Sequence, residues 1–267
     1  MKTIGKALAL AGLVSLSSVS VAGVVNVAHV NFDTDYVDAG DSDFGAEFKF
    51  TQWFGDTFQT YRNINNYDSA IATGTVFSSL DGTSGGTGFF LSAVGEVDRL
   101  NGGSLVAPLF MDDGFELTFA LGGIELNKDS TFNFDGAWGG LFVNSTTPDY
   151  GTPASNQAEV TDAQSGIEWL RFSIDDLAFT TGGVENGFVA ASLSITGGVA
   201  QPYFDPQTIQ YGASAFFNPN GIYSRNGNGQ IIGNTEELVT VSAPSTLALI
   251  GLGLLGFATR RQLKKSA

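Results

Sequence analysis

The sequence predicts an all-β body, an antiparallel β-sandwich or jelly roll, flanked by a cleavable signal peptide and a C-terminal hydrophobic helix. Three observations predict it. Apolar and polar residues alternate along many short runs, Gly-Gly pairs recur through the body, and long amphipathic helical patterns are nearly absent.

In Phe115-Glu116-Leu117-Thr118-Phe119-Ala120-Leu121 every odd position is apolar. Leu170, Phe172 and Ile174 share one face, as do Val189, Ala191, Leu193 and Ile195. Phe48 and Phe50 alternate with Glu47, Lys49 and Thr51, and Phe132 and Phe134 with Asn133 and Asp135. Strands of this kind bury one face and wet the other. Gly-Gly pairs begin at Gly85, Gly102, Gly122, Gly139, Gly182 and Gly197, and glycine supplies the positive φ of hairpin turns. At the usual spacing of strands and turns this gives about 10–14 strands. One short helix is expected over Asn63 to Ala72, a polar surface loop over Asn144 to Gln157, and a first strand over Val24 to Phe32.

The chain divides into three parts. Residues 1–22 read as a signal peptide: Lys2 and Lys6, an apolar run from Ala7 to Val14, then Ser20-Val21-Ala22, with cleavage between Ala22 and Gly23. Residues 23–241 form the β body. In residues 242–267 an uncharged stretch from Leu247 to Ala258 is followed by Arg260, Arg261, Lys264 and Lys265, which hold that end in the cytoplasm by the positive-inside rule. The body then lies on the far side of the inner membrane.

Charge separates these parts. Six of the twelve Lys/Arg residues lie in the two ends, whereas all 27 Asp/Glu lie in the body. Six cations against 27 acids give the body a formal charge of −21, which repels nucleic acid and favours divalent cations. Cysteine is absent, which excludes disulfides, thiolate catalysis and Cys-ligated zinc. The single histidine, His29, cannot supply a multi-histidine metal site.

Few residues carry chemistry. Asp33, Asp35, Asp38, Asp41 and Asp43 crowd into eleven positions, and clustered hard oxygens suit calcium, the one cofactor the residues suggest. The spacing is not that of an EF-hand, because position 12 of a loop that starts at Asp41 is Gln52 rather than Glu. A solvated acidic loop is the alternative. Asp112-Asp113 and Asp175-Asp176 are adjacent pairs; neighbours on a strand point to opposite faces, so they read as turn or strand-end residues rather than a glycosidase pair. His29 reads as structural. Trp138, between Gly136 and Gly139-Gly140, is the candidate sugar platform, on the reasoning that glycines leave its ring uncovered.

The tail from Pro244-Ser245-Thr246 through the apolar run to Arg260-Arg261 resembles the PEP-CTERM sorting signal of Gram-negative bacteria, keeping Pro244 where that family has Pro-Glu-Pro. The resemblance implies an exosortase-type processing enzyme as partner, transient inner-membrane anchoring, and release to the cell surface or extracellular matrix in a bacterium that makes exopolysaccharide. Ser192 to Gly198, Tyr203-Phe204-Asp205 and Gly227 to Asn234 are similar to stretches of flocculation-associated PEP-CTERM proteins. The expected function is a non-enzymatic surface or matrix protein with a structural or adhesive role, in contact with extracellular polysaccharide. A calcium-dependent carbohydrate-binding module is the alternative, and an exported carboxylate-based glycoside hydrolase a further one.

Processing at both ends is the first testable outcome. Mass spectrometry of secreted protein is expected to find Gly23 at the N-terminus and no peptide from Leu254 to Ala267. Recovery of the intact tail in released protein contradicts tail removal.

Overall fold

Period-two strands need a partner on each side, and here eight of them satisfy one another in a ring. The computed structural model describes residues 24–34, 44–101, 110–145, 154–204, 209–216 and 221–233, all within the unit Gly23–Leu238. They contain eleven strands: β1 (Val24–Val27), β2 (Val30–Asp33), β3 (Phe44–Gly55), β4 (Gly86–Leu100), β5 (Phe115–Asn127), β6 (Phe132–Asn133), β7 (Trp138–Ser145), β8 (Ile167–Gly183), β9 (Asn186–Gly197), β10 (Ile209–Phe216) and β11 (Tyr223–Gly233). Two short helices, α1 (Thr73–Phe77) and α2 (Gln157–Ala163), lie between them. The order β4-β3-β11-β10-β9-β8-β7-β5 returns to β4 through the β4–β5 pairing, so eight antiparallel strands close on themselves and β6 adds a short flap to β5.

This closed up-and-down barrel replaces the expected sandwich or jelly roll. Alternation reports which side of a strand is buried, and that side is the same in both folds. The difference lies in the sheet edges, and β11 pairs with β3 from Tyr223↔Trp53 to Gly233↔Phe44. Closure needs strong coiling, and register shifts supply it. β8 alone has three against β9, between Arg171/Phe172, Ile174/Asp176 and Phe179/Thr181. The middle one leaves Asp175 and Asp176 both exposed in mid-strand, not at the expected turn or strand end.

The interior is packed by pairing rings with glycines. Phe48 stacks on Phe119 at 4.5 Å and on Tyr211 at 5.8 Å. A Cβ on Gly139 would lie 2.0 Å from Phe172, and one on Gly229 2.4 Å from Phe48. Several Gly-Gly pairs are therefore not hairpin turns. Gly122-Gly123 and Gly139-Gly140 lie inside β5 and β7, where the lack of a side chain leaves room for a neighbour. Outward residues such as Glu47, Lys49, Asp175, Asp176, Ser192 and Thr196 are exposed. Apolar inside and polar outside is the reverse of a membrane-spanning barrel.

Both ends are covered. The expected first strand is broken at Ala28 (φ 49) and His29 (φ 73), which turn it into the β1–β2 hairpin. The hairpin buries Val27, Val30 and Phe32 in the core that holds Phe44, Trp169 and Phe204, and Trp169 Nε1 donates to the Val27 carbonyl at 3.0 Å. At the other end Val76 of α1 packs with Phe54, Leu126 and Val184. The expected helix over Asn63 to Ala72 is absent; that segment and α2 instead cover the outward residues Trp53, Val94, Ala120 and Phe142. The Ile64 N–H donates to Gln164 Oε1 at 3.2 Å, and Gln157 Nε2 donates to the Ile64 carbonyl at 2.6 Å. α2 extends past the predicted loop, with Asn156 as N-cap accepting from Glu159 N–H at 3.1 Å.

Strand glycines separate into two kinds, and stability measurements can tell them apart. A Cβ on Gly95 would meet the Lys49 carbonyl at 2.1 Å, whereas one on Gly45 meets nothing within 4 Å. Gly95→Ala is expected to cost about 1–3 kcal/mol or more in chemical denaturation, as overpacking does. Gly45→Ala is expected to be neutral or slightly stabilising through the unfolded chain. Equal effects would show that the two strands do not approach as described.

Candidate functional site

An eight-stranded barrel offers a ligand either its interior or its outer wall. The interior here is nearly full. Among the described residues a cavity of about 30 Å³ is left there, lined by Gln52 and by apolar side chains that include Ala93, Ala191 and Ala213. That volume is room for about two waters and far below the roughly 300–1,000 Å³ of small-molecule sites. Gln52, 4 % exposed, projects into it with its Nε2 unpartnered, and burial pushes the Tyr211 phenol pKa up.

The outer wall carries an open groove of about 940 Å³. Its axis follows one row across five strands: Ala190↔Gly212, Gly212↔Gln230, Gln230↔Glu47 and Glu47↔Arg99. At the usual inter-strand spacing the row is about 19 Å long. Phe188, Lys49 and Asp98 lie along one bank, Gln210 and Ile232 along the other. Phe188 is 52 % exposed. The charges pair with one another: Lys49 Nζ lies 2.6 Å from Asp98 Oδ2 and Arg99 Nη1 3.5 Å from Glu47 Oε2.

The residues singled out from sequence lie elsewhere. Trp138 is only 5 % exposed; its Nε1 donates to the Gln59 carbonyl at 3.1 Å and its ring meets Tyr61 edge to face at 5.2 Å. The space left by its flanking glycines is taken by Phe58 at Gly136, Phe172 at Gly139 and Phe142 at Gly140, so the ring is no open platform. Of the acidic cluster, Asp33 ends β2, where its carbonyl accepts from Asn101 Nδ2 at 2.9 Å; Asp35, Asp38, Asp41 and Asp43 lie outside the described residues. Among the described residues no three His, Cys, Asp or Glu side chains are placed to share a metal ion. Ala22, Gly23, Pro244, Ser245, Thr246, Arg260 and Arg261 also lie outside them, as does the expected C-terminal helix. No described helix is long and apolar enough to cross a membrane.

Asp112 and His29 do meet, in a latch on the β1–β2 hairpin. Asn26 and Asn31 donate to Asp112 at 3.2 and 3.1 Å, and His29 Nδ1 lies 3.1 Å from it. The imidazole stacks on Phe115 at 3.6 Å. Among the described residues no hydroxyl bonds to the imidazole, so the pair is not extended to a triad. A second clamp holds the outer layer. Tyr61 donates to Glu168, Arg62 lies over Phe142 at 4.7 Å, and burial, aided by Glu168, pushes the Tyr61 pKa up.

Among the described residues, fold and wall together define a closed, packed antiparallel barrel with a polar exterior that carries a long groove. A family model for the PEP-CTERM protein-sorting motif matches residues 240–262. The chain thus carries a sorting signal that implies export, exosortase processing and delivery to the cell surface. No curated protein and no solved structure matches the chain.

The latch predicts an acid-side dependence. The donors Asn31, His29 and Asn26 hold the Asp112 carboxyl below its ordinary range. A lowered folded pKa stabilises above the unfolded pKa of ~3.9, and the contribution disappears as pH falls through the folded value. Asp112→Asn is therefore expected to melt lower than the parent near neutrality, with the gap closing between about pH 5 and pH 2. A gap independent of pH would remove the carboxylate from the latch.

Proposed function

We propose that the protein is a non-enzymatic component of the cell surface or exopolysaccharide matrix, with a structural or adhesive role in flocculation or biofilm. The observation that carries this reading is the packed interior in a chain that carries a sorting signal: a barrel whose described interior cavity is about 30 Å³ works through its outside. Its polar wall and the body charge of −21 keep the mature domain dispersed in a hydrated matrix. The support is strengthened by how the reactive side chains are used. His29 and Asp112 serve a hairpin latch, and Asp175 accepts from Ser173 and Ser194 at 3.2 and 2.5 Å. Transient anchoring by the tail before processing belongs to the same proposal.

The hydrolase reading would rest on a hollow of about 780 Å³ that holds Glu125 and Asp135. A deletion strain is expected to lose aggregation and biofilm mass, and purified protein to release no reducing sugar from the strain's own polysaccharide. Unchanged aggregation overturns the matrix role. Sugar release abolished by Glu125→Gln or Asp135→Asn overturns the non-enzymatic reading.

A further inference from the structure

Resting on the matrix reading, we propose that the outer groove binds an uncharged polysaccharide chain, which runs across β9, β10, β11, β3 and β4 over the bare backbone at Gly212. The floor is the first reason. A Cβ on Gly212 would meet only the Val189 carbonyl, at 3.8 Å. Among the described residues no packing contact demands glycine here, and none of the positive φ values falls on it. A glycine inside a strand weakens it; what its absent side chain provides is depth in the middle of the groove.

The banks are the second reason. A pyranose has an apolar C–H face and a rim of hydroxyls. Phe188, with half of its surface exposed, offers an apolar face to the former. Gln210 and Gln230, both exposed, each offer a donor and an acceptor that match adjacent hydroxyls. The row of about 19 Å suits an extended chain rather than a single small molecule.

Charge selects the class. Lys49 and Arg99 are the groove's cations, and each is already paired with a carboxylate. Among the described residues an anionic polysaccharide would find each groove cation already facing a carboxylate, and it would approach a body of charge −21. An uncharged chain meets neither penalty. The ion pairs remain able to hydrogen-bond hydroxyls along the rim.

The test uses the full chain and the exopolysaccharide of the producing organism, separated by anion exchange into uncharged and charged fractions. Affinity electrophoresis is expected to show retardation by the uncharged fraction. Gly212→Leu and Phe188→Ala are each expected to weaken it about tenfold or more, with melting temperature unchanged for Gly212→Leu, while Phe188→Tyr retains binding. Gln230→Ala gives a second, smaller perturbation should the leucine disturb the strand. Undiminished binding by Gly212→Leu and Gln230→Ala overturns the proposal, as does binding confined to the charged fraction or absent from the uncharged one. If the groove fails in this way while the deletion strain still loses aggregation, the matrix role stands and the groove is not its means.

Discussion

The pairing of β11 with β3 is the contact on which the rest of the molecule depends. It joins the last barrel strand to the first, and with it the sheet has no long free edge to pair with another chain. It also turns one face of every strand into an interior of limited volume. Large rings enter that interior where the neighbouring strand gives way, and glycine is how it gives way. Phe172 occupies the space over Gly139, Phe48 that over Gly229. Closure and the Phe–Gly complementarity are therefore one constraint. A barrel wide enough to hold all these rings without glycines would keep a void, and voids are costly in proportion to their volume.

A full interior transfers function to the wall, and the wall is not uniform. Where outward residues are apolar, at Trp53, Val94, Ala120 and Phe142, the segment after β3 and helix α2 cover them. Where they are polar or small, along β9, β10, β11 and the start of β3, no described segment covers the wall. The groove is this uncovered half. Its ion pairs contribute little to stability, since exposed pairs are worth at most about 1 kcal/mol, but they leave it locally neutral on an acidic body.

Much of this was legible in the residues. The inward sets of β3, β5, β8 and β9 follow from alternation. The same alternation that places Val189, Ala191, Leu193 and Ile195 inside puts Phe188 on the wet face, so the exposed ring could have been found by asking which aromatic breaks the pattern. The α2 start could also have been read from Ser155-Asn156 followed by Glu159, a capping sequence. Trp138 was misplaced for a specific reason. Glycines flanking an aromatic residue create space, but sequence does not say whether solvent or another ring fills it; here Phe58, Phe172 and Phe142 do. The Ala28-His29 turn was hidden because Ala28 is no usual occupant of the left-handed region and no glycine marks the turn, although His29 is of a type enriched there.

The sequence by itself determined that the body is built of antiparallel strands, which residues face inward, and that the chain is exported under a sorting signal. These are local properties, carried by period-two alternation and by contiguous segments at the ends. The tertiary structure alone decided that the sheet closes, that the interior is full, and that Ala190, Gly212, Gln230, Glu47 and Arg99 stand in one row. Each of these depends on register between strands far apart in the chain, and a register is set by side chains meeting across the sheet rather than by any pattern within one strand.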